Sequence, residues 1–176
     1  MSRQFWSDTV AWATASGTAV TGIVEAILFP NVTIPANFMQ DGRAVKITIY
    51  GQFSNIVTTP GTVTFRFRWC GVAGTVLSAT AAISLNTTVQ TNQMFAIDTI
   101  LQTRSNGSTG TIMATGRAIM GVEATTAQRF MGSAGAASPA AVTVDLTADT
   151  ALSVTAIFSL TGNSVQGLNY TIEALN

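Results

Sequence analysis

Apolar side chains recur at every second position along most of this chain, and that period decides what it can fold into. In Val45-Lys-Ile-Thr-Ile-Tyr-Gly-Gln-Phe53, the side chains of Val45, Ile47, Ile49 and Phe53 fall on one face and those of Lys46, Thr48 and Gln52 on the other. In Val63-Thr-Phe-Arg-Phe-Arg-Trp69, Val63, Phe65, Phe67 and Trp69 oppose Thr64, Arg66 and Arg68. Successive side chains leave opposite faces of a pleated strand, so this is the pattern of a strand with one face on a core and the other toward solvent. The same alternation places strands at Phe95–Leu101, Thr111–Met120, Leu152–Leu160 and Leu168–Ala174, with shorter ones over Gly22–Phe29, Thr75–Leu85 and Val142–Leu146. Gly116, inside one of these runs, reads as a bulge.

Turn chemistry separates the runs. Asp41-Gly42, Pro60-Gly61 and Asn106-Gly107 supply the residues that tight turns require. No stretch carries a 3.6-residue apolar stripe with caps. The expectation is an all-β fold: an antiparallel jelly-roll sandwich of about eight strands over residues 22–176, preceded by an extended N-terminal arm over residues 1–21. The arm carries Phe5, Trp6 and Trp12 among small polar residues and shows no strand pattern. Gly132–Ala141 is rich in small residues and reads as a long loop.

Composition limits the chemistry. The chain has no histidine, one cysteine (Cys70) and only 9% charged residues, against about 25% in an average domain. Ser-His-Asp, Cys-His and histidine–zinc sites are therefore impossible, and an intramolecular disulfide is excluded. Eight Lys and Arg balance eight Asp and Glu, which leaves no basic stripe for nucleic acid. No run approaches the roughly 18 apolar residues of a membrane helix. The N-terminal segment is a poor match to a secretory leader, because Asp8 interrupts it. No phosphate loop or dinucleotide fingerprint occurs, and no cofactor is expected.

Three constellations remain to be weighed against plainer readings. Asp98 and Glu123 lie on neighbouring runs, but nothing supplies the paired geometry of a glycosidase, and an outward Asp with a loop Glu explains them. Asp145 and Asp149 lack the spacing and ligand number of a calcium loop and fit a polar turn. Arg66 and Arg68, with Lys46 and Tyr50 on an adjacent strand, would make a patch for an acidic partner or a sugar; the plainer reading is a solvated sheet face. The expected outward positions are mostly Thr, Ser, Ala and Gln rather than charges, which fits a surface covered by copies or partners. On this reading the chain is a structural or binding protein and not an enzyme.

A resemblance sharpens this. Ser16-Gly-Thr-Ala-Val20, Thr33-Ile-Pro-Ala-Asn-Phe-Met39, Asp41-Gly-Arg-Ala-Val-Lys-Ile-Thr-Ile-Tyr-Gly51 and Leu101-Gln-Thr-Arg-Ser-Asn-Gly-Ser-Thr-Gly-Thr-Ile-Met-Ala-Thr-Gly116 resemble the jelly-roll structural proteins of tailed bacteriophages, of capsid decoration (cement) or head-fibre type. The resemblance implies a virion component on the outer capsid surface, usually a homotrimer, partnered by the major capsid protein and by copies of itself. Compact size favours decoration, with Phe5, Trp6 and Trp12 wedged into the capsid or a sister subunit. Deleting residues 1–15 is then expected to abolish shell binding and leave the trimer folded. The alternative is a receptor- or carbohydrate-binding fibre module, holding a host-surface glycan with the loops around residues 86–93 and 105–110.

Overall fold

The computed structural model describes residues 7–56, 58–121, 127–133 and 140–175. The described residues form strands and turns with no helix. In chain order the strands are β1 (Ser7–Trp12), β2 (Ala26–Ile27), β3 (Val32–Ile34), β4 (Ala44–Asn55), β5 (Thr62–Trp69), β6 (Thr75–Thr80) and β7 (Ile83–Ser84), followed by β8 (Gln90–Ser105), β9 (Gly110–Met120), β10 (Ala127–Ser133), β11 (Val142–Val144), β12 (Thr150–Phe158) and β13 (Ser164–Leu175). All pairings are antiparallel.

The hydrogen-bonded order is β1-β13-β4-β8-β9-β10-β6-β5-β12-β2. This path curls so that two layers face each other. The front layer is β1-β13-β4-β8, extended by the β9–β10 hairpin, and the back layer is β6-β5-β12-β2. The chain alternates between layers: β1 front, β2 back, β4 front, β5 and β6 back, β8 front, β12 back, β13 front. That is the winding of a jelly roll. The count exceeds the expected eight because β9 and β10 widen the front layer and the short strands β3, β7 and β11 pair beside longer ones. β10 pairs β9 at one end and β6 at the other, so it joins front to back along one side.

Alternation sets the core. Val45, Ile47, Ile49, Gly51 and Phe53 of β4 and Val63, Phe65, Phe67 and Trp69 of β5 are all buried, while the residues alternating with them are partly covered or, at Tyr50, exposed. Across the layers, Phe65 stacks on Phe95 with ring centroids 5.2 Å apart. Gly51 and Gly167 pair across β4 and β13, and a Cβ at either would run into the ring of Phe95 or Phe29, respectively. Their absence of a side chain makes room for two aromatic rings.

Two expectations are corrected. Gly116 is not at a bulge: the β8–β9 register runs unbroken through it and shifts only between Thr103 and Ser105. Gly116 is needed instead for close approach, since a Cβ there would sit 2.3 Å from the Asp98 carbonyl oxygen and 2.7 Å from Thr99 Cα. The reading of residues 1–21 as an arm without strand pattern fails over its described part. Ser7–Trp12 pairs with β13, and the chain continues beside the same strand: Ala13 N–H donates to the Tyr170 carbonyl at 2.9 Å, Gly17 N–H to Gly167 at 2.9 Å, and Val20 bonds Val165 in both directions. The loop expected at Gly132–Ala141 lies, over 134–139, outside the described residues.

Replacing Phe65 with Ala is expected to cost about 3–5 kcal/mol, the usual range for emptying a buried aromatic site. Gly116→Ala is expected to cost about 1–3 kcal/mol by forcing β8 and β9 apart. Both are read as shifts in the urea unfolding midpoint, and an unchanged midpoint for Gly116→Ala would mean that the strands separate there without strain.

Candidate functional site

The outer surface of the front layer carries five of the eleven large apolar side chains that stand exposed among the described residues, Trp12, Tyr50, Met94, Ile100 and Phe130. Directly opposed residues on antiparallel strands share a face. Trp12 lies opposite Thr171, Thr171 opposite Thr48, Thr48 opposite Asp98, Asp98 opposite Arg117, and Arg117 opposite Phe130. The row crosses β1, β13, β4, β8, β9 and β10, roughly 24 Å at the usual strand spacing. Its two ends are aromatic and exposed, Trp12 at 60% and Phe130 at 79%. Tyr50, Met94 and Ile100 stand exposed on neighbouring rows of the same face.

At the Phe130 end the face dips into a groove of about 380 Å³, lined by Lys46, Asp98, Thr99, Ile100, Thr115, Gly116, Arg117 and Phe130. Asp98 and Arg117 flank each other there with Oδ2 and Nε 3.7 Å apart, both substantially exposed. That separation is an ion pair beyond hydrogen-bond length. Lys46 stands opposite Glu173 on the next strand.

The back face behaves differently. Arg66 and Arg68 project outward from β5, as alternation requires, and Glu25 binds both. Its carboxylate accepts from Arg66 Nη1 at 2.7 Å and from Arg68 Nε and Nη2 at 2.6 and 2.7 Å, and the Thr155 hydroxyl donates to it as well. Arg68 Nη1 also donates to the Gly74 carbonyl at 2.7 Å. Burial pushes the Glu25 carboxyl upward, but the bonds from Arg68 and Thr155 and the charges of Arg66 and Arg68 together hold it below the usual carboxylate value. Lys46 and Tyr50 do not join this group. They lie on β4, in the opposite layer with an outward direction of its own, so the patch expected from sequence divides between two faces.

The remaining candidates are placed as follows. Asp98 faces Arg117, and Glu123 lies outside the described residues. Asp145 accepts from the hydroxyl and N–H of Thr147, which hold its carboxyl below the usual range, and Asp149 accepts from Ala36 N–H at 2.7 Å. Both thus cap turns. The loops around 86–93 and 105–110 sit at opposite ends of the 16-residue strand β8, roughly 50 Å apart along an extended strand, so they cannot hold one ligand between them. Phe5 and Trp6 lie outside the described residues. Trp12 is on strand β1, held by the sheet. Sequence reasoning missed Phe130 and Glu25. Ala-Gln-Arg-Phe-Met offers too short an alternation to announce β10, and Glu25 is linked to its arginines only through pairing 41 and 43 residues away.

No protein-family model matches the chain, and no curated protein matches it. Among solved structures, the chain is similar to the CBM2 module of the evolved Dit of Lactobacillus casei BL23 phage J-1, with 11% identity over 98% of both chains and a TM-score of 0.38. A likeness that remote transfers neither topology nor function.

Glu25→Gln is expected to lower stability at pH 7 by about 1–3 kcal/mol, because it leaves two arginines without their charged acceptor. The folded-state pKa of Glu25 is depressed, so its contribution is complete above the ordinary carboxylate value and disappears as pH falls through the depressed one. The stability gap between wild type and variant should therefore narrow below about pH 4. A gap that stays constant down to pH 2 would show that the loss comes from packing rather than charge.

Proposed function

We propose that the chain is a structural protein of a tailed-bacteriophage virion: a decoration (cement) protein that binds the outer surface of the head shell as a homotrimer, with the major capsid protein as its partner. The observation that carries this reading is the front face. Trp12, Tyr50, Met94, Ile100 and Phe130 are exposed together on one side of one sheet. Isolated soluble domains rarely leave such a concentration uncovered. Aromatic side chains and methionine are among the residues enriched where proteins meet. The resemblance of residues 16–120 to phage jelly-roll structural proteins supports the same reading.

The mechanism is buried area multiplied by symmetry. One subunit contributes a modest contact, and a closed oligomer on a repeating shell adds its contacts as avidity. Trp12 serves this as a residue fixed on an edge strand. Deleting residues 1–15 would strip β1 from β13 and confound binding with folding, so a point substitution is the cleaner probe.

The first test is copy number in purified particles, by quantitative mass spectrometry against the major capsid protein. Copies in a fixed ratio to the shell protein, numbering hundreds, are expected. A few dozen or fewer would assign the chain to a fibre or receptor-binding part, and absence from particles would overturn the virion reading. Trp12→Ser is expected to lower shell occupancy about tenfold or more, in line with the loss of a large aromatic contact, while leaving the unfolding midpoint near wild type because Trp12 is 60% exposed. Undiminished occupancy would remove Trp12 from the contact.

A further inference from the structure

We propose that the groove beside Phe130 is a saccharide-binding site for a pyranose, with Phe130 as the stacking platform and Asp98 and Arg117 as the hydroxyl-binding pair. The site shares Phe130 and Ile100 with the face proposed for shell contact, and the two readings fail distinguishably: particle copy number tests decoration, and titration of the free chain with sugars tests this site.

The argument starts from register. Asp98, Arg117 and Phe130 are directly opposed across β8, β9 and β10, so their outward side chains stand side by side in one row. Phe130 is 79% exposed, an unusual cost for a phenyl ring in water. An exposed ring on a rigid strand presents a flat apolar face, which suits the C–H-lined face of a pyranose. A sugar also needs hydrogen-bond partners for its ring hydroxyls, and the neighbours supply both kinds. The carboxylate is acceptor-only and the guanidinium donor-only. At 3.7 Å these two groups do not hydrogen-bond each other. Neither forms another hydrogen bond with a side chain or backbone group among the described residues, so both have open capacity. A hydroxyl is at once donor and acceptor, and vicinal hydroxyls can bridge Asp98 and Arg117 with charge-assisted bonds.

Lys46 and Arg117 line the groove with Asp98 as the single carboxylate there, so the lining carries one excess positive charge and accepts a sugar bearing a carboxylate as well as a neutral one. The groove, at about 380 Å³, lies within the range of small-molecule sites. Thr99 is inward-facing and buried, and Ile100 and Thr115 form the outward floor beside the pair. The site is built on strands, whose backbone holds the three groups in place before any ligand arrives.

The test uses the full chain, isotopically labelled for amide NMR and titrated with neutral disaccharides of glucose, galactose and N-acetylglucosamine and with one uronic-acid disaccharide. A single shallow site predicts a Kd of about 1 mM. The expected result is that at least one of these sugars shifts the amide signals of Asp98, Arg117 and Phe130 together. Phe130→Ala and Arg117→Ala should each weaken binding about tenfold, and Trp12→Ser, at the far end of the face, should leave it unchanged. Phe130→Ala is expected to fold normally, since it removes an exposed ring; Phe130→Tyr, which keeps the platform, should retain binding. No shift with any sugar at tens of millimolar would overturn the proposal, as would binding undiminished by Phe130→Ala or shifts centred elsewhere.

Discussion

A single apolar layer between two sheets is the constraint on which the rest of this protein depends. Each inward residue comes from every second position of a strand, so register and core are the same thing. Slipping β5 by one residue would exchange Phe65, Phe67 and Trp69 for Thr64, Arg66 and Arg68 and place two guanidinium groups in the core. With one cysteine and few charges, the chain relies on this layer and on the backbone pairing of β10 with β9 and β6 to hold front and back together. The stack of Phe65 on Phe95 marks where front and back meet most directly. The paired glycines of β4 and β13 are shaped by the same layer, which fills the space their side chains would occupy.

Because charges are scarce, amides and hydroxyls do much of the work at the ends of the sandwich. Asn163, almost fully buried, accepts from Ile56 N–H at 3.2 Å and donates to the Pro60 carbonyl at 2.7 Å. Asn55 donates to the carbonyls of Asn86, Ile56 and Thr88. These buried side chains satisfy backbone groups that the turns leave unpaired, which a buried loop cannot do without. The free edge of β13 is likewise covered, by the segment from Ser7 to Val20. Of the two layers, only the front is widened by the long β9–β10 hairpin, and this additional width carries the groove.

The two outer faces therefore have different characters. The back concentrates its charge in one closed cluster, Glu25 with Arg66 and Arg68, where every strong group is used internally. The front spreads exposed apolar side chains over β1, β4, β8 and β10 and leaves the Asp98–Arg117 pair loosely engaged. A face with unspent apolar surface and open hydrogen-bonding groups is suited to contact, and a face with a saturated ion cluster is suited to stability.

Residue order alone is enough to show the class of fold and which side of each long strand faces the core. Alternation is a local property: it depends only on the pleat, so Val45 to Phe53 and Val63 to Trp69 declare their buried faces without reference to any partner. It also excluded histidine chemistry and an internal disulfide. The tertiary structure alone decided what the outward residues do. The matching of Arg66 and Arg68 to Glu25, their separation from Lys46 and Tyr50, the edge role of Ser7–Trp12 and the meeting of Asp98, Arg117 and Phe130 all follow from which strands pair and in what register. Those pairings link residues far apart in sequence, and two stretches with the same alternation are equally able to pair with many partners. The choice among them is made by the fit of the whole apolar layer, a property that no single segment contains.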